Sequence, residues 1–192
     1  MSDLLPVVLD RQLRKLSPWL SVMSRTLVRP GREEREEFHS FCQADYVSIL
    51  AVTKDGRIPL VRQYRPALER VTMELPGGLR DENDTPEETA IRELFEETGM
   101  IVTGTPILLG SLTPDSGRLE NRLWCFFARV GPQSGEGWEP EIGVESFLCS
   151  RNELRKWILD GQYDHALHVA LIGLAVMRGV FDWGAQEPYG RV

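Results

Sequence analysis

Three glutamates, Glu93, Glu96 and Glu97, are spaced three and four positions apart in the run Arg92-Glu93-Leu94-Phe95-Glu96-Glu97-Thr98-Gly99. On a helix, this spacing projects all three carboxylates to neighbouring places on one face. Thr85 and Glu88 supply a capping box, Pro86 a first-turn proline and Gly99 a stop, so a helix over residues 86–98 is predicted. Three like charges on one face repel, and a hard divalent cation relieves the repulsion. An oxygen-only set of this kind suits Mg2+ or Mn2+ rather than zinc. The same spacing also describes an ordinary solvated acidic face.

The flanking residues separate the two readings. Gly78 is followed after five residues by Asp84, and after seven more by Arg92-Glu93-Leu94-Phe95-Glu96-Glu97-Thr98-Gly99-Met100. This pattern resembles the Nudix box, in which every fixed position is matched except the first glutamate, here Asp84. At average residue frequencies such a match at one window arises by chance on the order of 10⁻⁸. The resemblance implies a magnesium-dependent hydrolase that opens a P–O–P linkage with metal-activated water. It assigns Glu93, Glu96, Glu97 and the main-chain carbonyl of Gly77 to the metal. Arg92 orients a neighbouring carboxylate through paired hydrogen bonds, so Glu93, Glu97 and Arg92 count as catalytic residues. A separate general base is implied in a loop just before a late strand, which puts Glu141 and Glu139 ahead of Glu120; each also reads as a solvated loop carboxylate.

Residues outside the box resemble the branch that hydrolyses ADP-ribose and related nucleotide sugars. They are Gln63-Tyr64-Arg65-Pro66, Glu74-Leu75-Pro76-Gly77-Gly78, and Pro114, fifteen positions after Gly99. This resemblance implies a small-molecule nucleotide substrate held by Arg65, Arg118, Glu74 and Trp19. The Arg65 fork would pair with two phosphate oxygens, and an aromatic face such as that of Trp19 or Trp138 would take a nucleobase. A surface arginine and packed tryptophans are the plain alternatives. A homodimer is implied as well. Dinucleoside polyphosphates, NADH, coenzyme A and oxidised nucleoside triphosphates are alternative substrates that keep the same box, and a non-catalytic nucleotide sensor would keep the same fold.

The elements that must position these residues are read from pattern. Residues 1–18 show no clear period, while residues 19–28 and 38–52 predict strands around a polar turn. Lys54-Asp55-Gly56-Arg57 between two apolar runs predicts a β-hairpin whose second strand ends at Arg65. Further strands are predicted over residues 71–75, 101–112, 122–130 and 142–149, with a loop over 131–141 and helices over 151–160 and 163–178. The class is mixed α/β (α+β). The resemblance specifies a Nudix-type α/β/α sandwich with a mixed sheet and a small N-terminal β subdomain. Its expected parts are a β-rich segment over 1–45 for dimerisation and base binding, a hydrolase domain over 46–180 and a tail over 181–192.

Composition narrows the partners. The 192 residues, 42% hydrophobic, suffice for one full core but not for two large domains. A net charge of −7 offers no basic field to polymeric nucleic acid, and it disfavours a phosphate unless cations intervene. Cys42, Cys125 and Cys149 form no CxxC pair, which argues against a disulfide framework or a zinc site. His39, His165 and His168 show no ligand spacing beyond one helical turn, and the latter two read as structural. No apolar run approaches about 18 residues and no leader pattern opens the chain, so a soluble cytoplasmic protein with no membrane partner is expected.

Overall fold

The computed structural model describes residues 5–133, 138–139 and 141–184. Part of the predicted 131–141 loop and residues 185–192 of the predicted tail lie outside the described residues. The elements are β1 (Val7–Lys15), β2 (Ser21–Val28), β3 (Arg35–Cys42), β4 (Tyr46–Thr53), β5 (Ile58–Arg65), β6 (Arg70–Glu74), α1 (Pro86–Thr98), β7 (Met100–Val102), β8 (Ile107–Leu112), β9 (Leu123–Gln133), β10 (Val144–Cys149), α2 (Arg151–Leu159) and α3 (Ala166–Met177). They form three sheets, ordered β1-β2-β3, β10-β5-β6 and β4-β9-β7, with β8 added to β9. The chain divides into two compact units, Met1–Asp45 with Thr113–Arg122, and Tyr46–Leu112 with Leu123–Val192.

The first unit is an antiparallel meander of β1, β2 and β3. No strand was predicted over β1, because its residues are exposed at almost every position and so carry no burial period. Thr113–Arg122 joins this unit through its backbone: Phe41 N–H donates to Arg118 O at 2.7 Å and Glu120 N–H to Phe41 O at 3.3 Å.

In the second unit, β4 is buried along nearly its whole length because both of its faces are covered. Val47, Ile49 and Ala51 pack with Ala90 and Leu94 of α1. Leu50 and Val52 belong to a second core with Leu171, Ile172 and Ala175 of α3. Parallel pairing of β4 with β9, beside antiparallel β7 and β8, makes the sheet mixed, as a helix-covered sandwich of this class requires. The 101–112 run is two strands rather than one, interrupted at Gly104, whose φ is 83°.

The predicted hairpin is not formed. Its turn closes, with Gly56 N–H to Thr53 O at 2.9 Å and Thr53 N–H to Arg57 O at 2.9 Å. The strands it joins then enter different sheets, β4 against β9 and β5 between β10 and β6. Local turn chemistry sets the reversal, but each strand finds its ladder elsewhere.

Beyond β6, residues 75–78 cross to β4, where Ile49 N–H donates to Pro76 O at 3.0 Å and Val47 N–H to Gly78 O at 2.9 Å. A Cβ on Gly77 would stand 2.2 Å from Val47 O and 2.9 Å from Ser48 Cα. Glycine is needed there for close approach rather than for a left-handed backbone. Gly77→Ala is therefore predicted to cost about 3 kcal/mol or to prevent folding. Gly173→Ala, in mid-α3 with nothing within 4 Å of the added Cβ, should gain up to about 1 kcal/mol. Urea unfolding of both variants beside the parent measures this, and an undiminished Gly77→Ala would refute the close-packing account.

Candidate active site

Helix α1 starts and stops as its caps dictate. Thr85 Oγ1 accepts from Glu88 N–H, the Glu88 carboxylate accepts from Thr85 N–H, and Gly99 closes the helix at φ 67° with its N–H on Phe95 O. The face it buries runs through Ala90, Leu94, Glu97 and Thr98, so helical spacing sets Glu97 on an otherwise apolar stripe, 5% exposed. A buried carboxylate needs hydrogen bonds. Glu97 receives one from Gly77 N–H to Oε2 at 3.0 Å. Burial pushes its pKa up to about 8; the Gly77 amide opposes the shift, and the charges of Glu93, Glu141 and Glu74 add to it.

Glu93 lies over Gly78, where a Cβ would meet its carboxylate at 2.4 Å. Its pKa is also raised, by burial against the counter-effect of Arg92, with Glu96 and Glu141 adding to the rise. Arg92 holds the cluster together: Nη1 donates to Glu93 Oε1 and Glu96 Oε2, each at 2.9 Å, and Nη2 reaches Asp81 at 3.4 Å. Its Nε faces Asp84 Oδ2 at 3.6 Å, too far for a hydrogen bond, and is left buried without a partner. Asp84 therefore stands at the position where a glutamate, one methylene longer, would reach.

Trp138 reaches the same place. Trp138 Nε1–H donates to Glu96 O at 3.0 Å. Glu93, Phe95, Glu96, Trp138, Glu139 and Glu141 line a cleft of about 420 Å³. A larger groove of about 1130 Å³ opens at the other end of β4, beside Thr53, Arg57 and Arg129, but its only carboxylate among the described residues is Asp55, which is tied to Arg57 at 2.7 Å. The acidic side chains gather at the smaller cleft. Its donor set of oxygens alone, with more negative charge than Arg92 balances, fits a hard divalent cation.

Among the described residues, a tighter group of ligand-type side chains exists elsewhere: donor atoms of Glu74, His165 and His168 lie within 4.8 Å of one another. This group does not suit a metal. Both Glu74 oxygens are taken, Oε1 by Arg65 Nε at 2.7 Å and Thr72 Oγ1 at 2.6 Å, and Oε2 by Arg65 Nη2 at 2.6 Å. The two imidazoles stack at 3.6 Å and 10°, so their in-plane lone pairs run parallel instead of converging. Burial alone would raise the Glu74 pKa, yet the bonds from Arg65 and Thr72 carry it down to about 2.

The second unit thus brings together Glu93, Glu96, Glu97, Arg92, Gly77, Glu139 and Glu141. It pairs Arg65 with Glu74, using one side of the fork that sequence assigned to a phosphate. Trp19, Arg118 and Glu120 belong to the first unit. There Trp19 is 70% exposed, and Glu120 accepts from Arg25 Nη2 at 2.6 Å and from Ser40 Oγ. Sequence did not reveal Asp81 as an Arg92 partner or Trp138 as the anchor of the acidic loop, because neither partner is marked by spacing.

A family model described as the NUDIX domain matches residues 43–167. This chain belongs to the Nudix family. The chain is 51% identical over 53 residues to the ADP-ribose pyrophosphatase of Bacillus subtilis (strain 168), covering 28% of this chain and 29% of that one. It is 35% identical over 156 residues to the ADP-ribose pyrophosphatase of Saccharomyces cerevisiae, covering 72% of this chain and 66% of that one. The chain thus spans less than two thirds of the length of both curated relatives. A crystal structure described as an ADP compounds hydrolase superposes with a TM-score of 0.74 at 22% identity, over 90% of this chain and 93% of that one, and shows the shared Nudix fold. No helix among the described residues is long and apolar enough to cross a membrane.

Two consequences can be measured. Glu97 titrates near 8 when folded against 4.5 when free, so the folded metal-free chain holds an extra proton between those values. That contribution to stability is complete below about 4.5 and is lost as pH rises through about 8. Denaturation midpoints in EDTA should fall over this range, and Glu97→Gln should flatten the slope; a slope unchanged by the substitution would contradict the burial of Glu97. Asp84→Glu should bring a carboxylate within hydrogen-bond reach of Arg92 Nε and raise stability by up to about 1 kcal/mol, seen as a Tm increase of a few degrees. A lowered Tm would show that the shorter side chain is the better fit.

Proposed function

We propose that this chain hydrolyses the pyrophosphate bond of ADP-ribose or a closely related nucleoside diphosphate sugar, releasing a nucleoside monophosphate and a sugar phosphate. The observation that carries the reading is Glu97, buried under the Gly77 amide beside Glu93 and Glu96, which Arg92 holds in place. Mg2+ or Mn2+, held by Glu93, Glu96, Glu97 and the Gly77 carbonyl, would stabilise charge on the phosphate oxygens and acidify the attacking water.

The chain's own residues supply the rest. Arg92 keeps two carboxylates from turning away from the site. Glu141 is the first candidate to take the proton from water, because its charge acts on both Glu93 and Glu97; Glu139 lines the same cleft and is the second. Arg65 pairs with Glu74 through Nε and Nη2 while its side chain stays 43% exposed, so its Nη1 edge is available to a phosphate oxygen. Roles for Arg118 and Trp19 at the substrate, and a homodimer, are part of the same proposal. The sugar-nucleotide assignment is supported by the Gln63-Tyr64-Arg65-Pro66 run and by the similarity to the two ADP-ribose pyrophosphatases.

Incubation with Mg2+ and a panel of ADP-ribose, other nucleoside diphosphate sugars, NADH, coenzyme A, dinucleoside polyphosphates and nucleoside triphosphates, with chromatography of the products, should give AMP and ribose 5-phosphate fastest. Glu97→Gln should lower turnover at least about 100-fold with the fold intact. A triphosphate preferred over every sugar nucleotide would remove the substrate assignment, and undiminished turnover in Glu97→Gln would remove the metal assignment.

A further inference from the structure

The segment that delivers the Gly77 amide to Glu97 is held from behind by α3. Leu75 N–H, the first backbone amide beyond β6, donates to His168 Nδ1 at 3.1 Å, and the Tyr163 hydroxyl lies 3.2 Å from the same nitrogen. Tyr163 and His168 are almost wholly buried, at 1% and 5% exposed. An amide can only donate, so Nδ1 is the unprotonated nitrogen and the neutral ring carries its proton on Nε2. His165, the N-cap of α3, braces this ring by stacking on it at 3.6 Å.

From Leu75 to Gly77 little freedom is left. Pro76 fixes its own φ, its carbonyl accepts from Ile49 N–H at 3.0 Å, and the Gly78 carbonyl accepts from Val47 N–H at 2.9 Å. A shift at Leu75 is therefore passed to the Gly77 N–H, 3.0 Å from Glu97 Oε2. We propose that His168 is a positioning residue of the acidic cleft: through Leu75 it sets where Gly77 presents its amide to Glu97, and so tunes cation affinity without touching cation or substrate. The inference rests on the assignment of Glu93, Glu96 and Glu97 to a cation.

Two amide substitutions separate position from polarity. In His168→Asn the side-chain oxygen falls close to the place of Nδ1, whereas in His168→Gln it reaches one methylene farther, towards the place of Nε2. Mn2+ affinity of the purified full chain is read by electron paramagnetic resonance, alongside Tm. His168→Asn should stay within about threefold of the parent, and His168→Gln should bind Mn2+ at least about 10-fold more weakly, the scale typical of groups that orient metal ligands. Equal Mn2+ affinities in the two variants, with the parent binding normally, would overturn the inference alone. A parent that binds no Mn2+ would overturn the cation assignment as well. If His168→Gln fails to fold, Tyr163→Phe takes its place: it deletes one hydroxyl from the same nitrogen and should weaken Mn2+ binding about threefold, and unchanged affinity would count against the proposal.

Discussion

One missing Cβ governs the acidic cleft. At Gly77 the chain runs so close to β4 that any side chain would collide with the Val47 carbonyl, and at that approach the Gly77 amide meets Glu97. Over residues 75–78 the backbone bonds to α3, β4 and α1 in turn. None of these partners is a sequence neighbour: His168 lies 93 positions from Leu75 and Glu97 lies 20 from Gly77. A connecting segment with no regular structure of its own is thus fixed as firmly as a strand. That rigidity is what a site held to fractions of an ångström needs.

Two buried glutamates near this segment meet opposite fates. Glu74 and Glu97 are 4% and 5% exposed, yet the first has its pKa carried down to about 2 and the second up to about 8. The difference lies in their partners. Glu74 has both oxygens on the Arg65 fork and a hydroxyl as well, whereas Glu97 has one neutral amide and the field of other carboxylates. Glu74 is therefore a permanently charged brace for β5 and β6, and Glu97 keeps its proton to higher pH. Environments that drive two identical groups apart in pKa also divide their roles.

What could be read from the sequence follows from how local each determinant is. Helix α1 was legible to its ends because Thr85, Glu88 and Gly99 act within one turn of the residues they cap. The offsets of Glu93, Glu96 and Glu97 from Gly78 were legible as a pattern, and helical periodicity alone aligns Glu97 with Ala90 and Leu94. Strand partners were not legible. Nothing in Lys54-Asp55-Gly56-Arg57 says that β4 will take β9 and β5 will take β6 and β10, since those choices depend on cores assembled from distant residues. Strand β1, exposed at almost every position, draws its order from pairing with β2 and offers no hydrophobic signature. Arg65 showed its charge in sequence but not its attachment to Glu74 across the β5–β6 ladder.

Trp138 shows how a helix end can recruit a loop. The last carbonyls of α1 have no partner further along the helix, and Glu96 O is one of them. The indole N–H of Trp138 fills that vacancy at 3.0 Å, which brings Glu139 and Glu141 to the rim of the cleft that Glu93 and Glu96 already line. Bringing more negative charge to an acidic rim is unfavourable: burial raises the pKa of Glu93 and of Glu97 first, and the charge of Glu141 adds to both rises. An indole contributes a directed hydrogen bond and a large apolar face with no charge of its own, so it can anchor the loop without neutralising the site. A lysine or arginine at this position would bring a positive charge that competes with the cation proposed for the cleft.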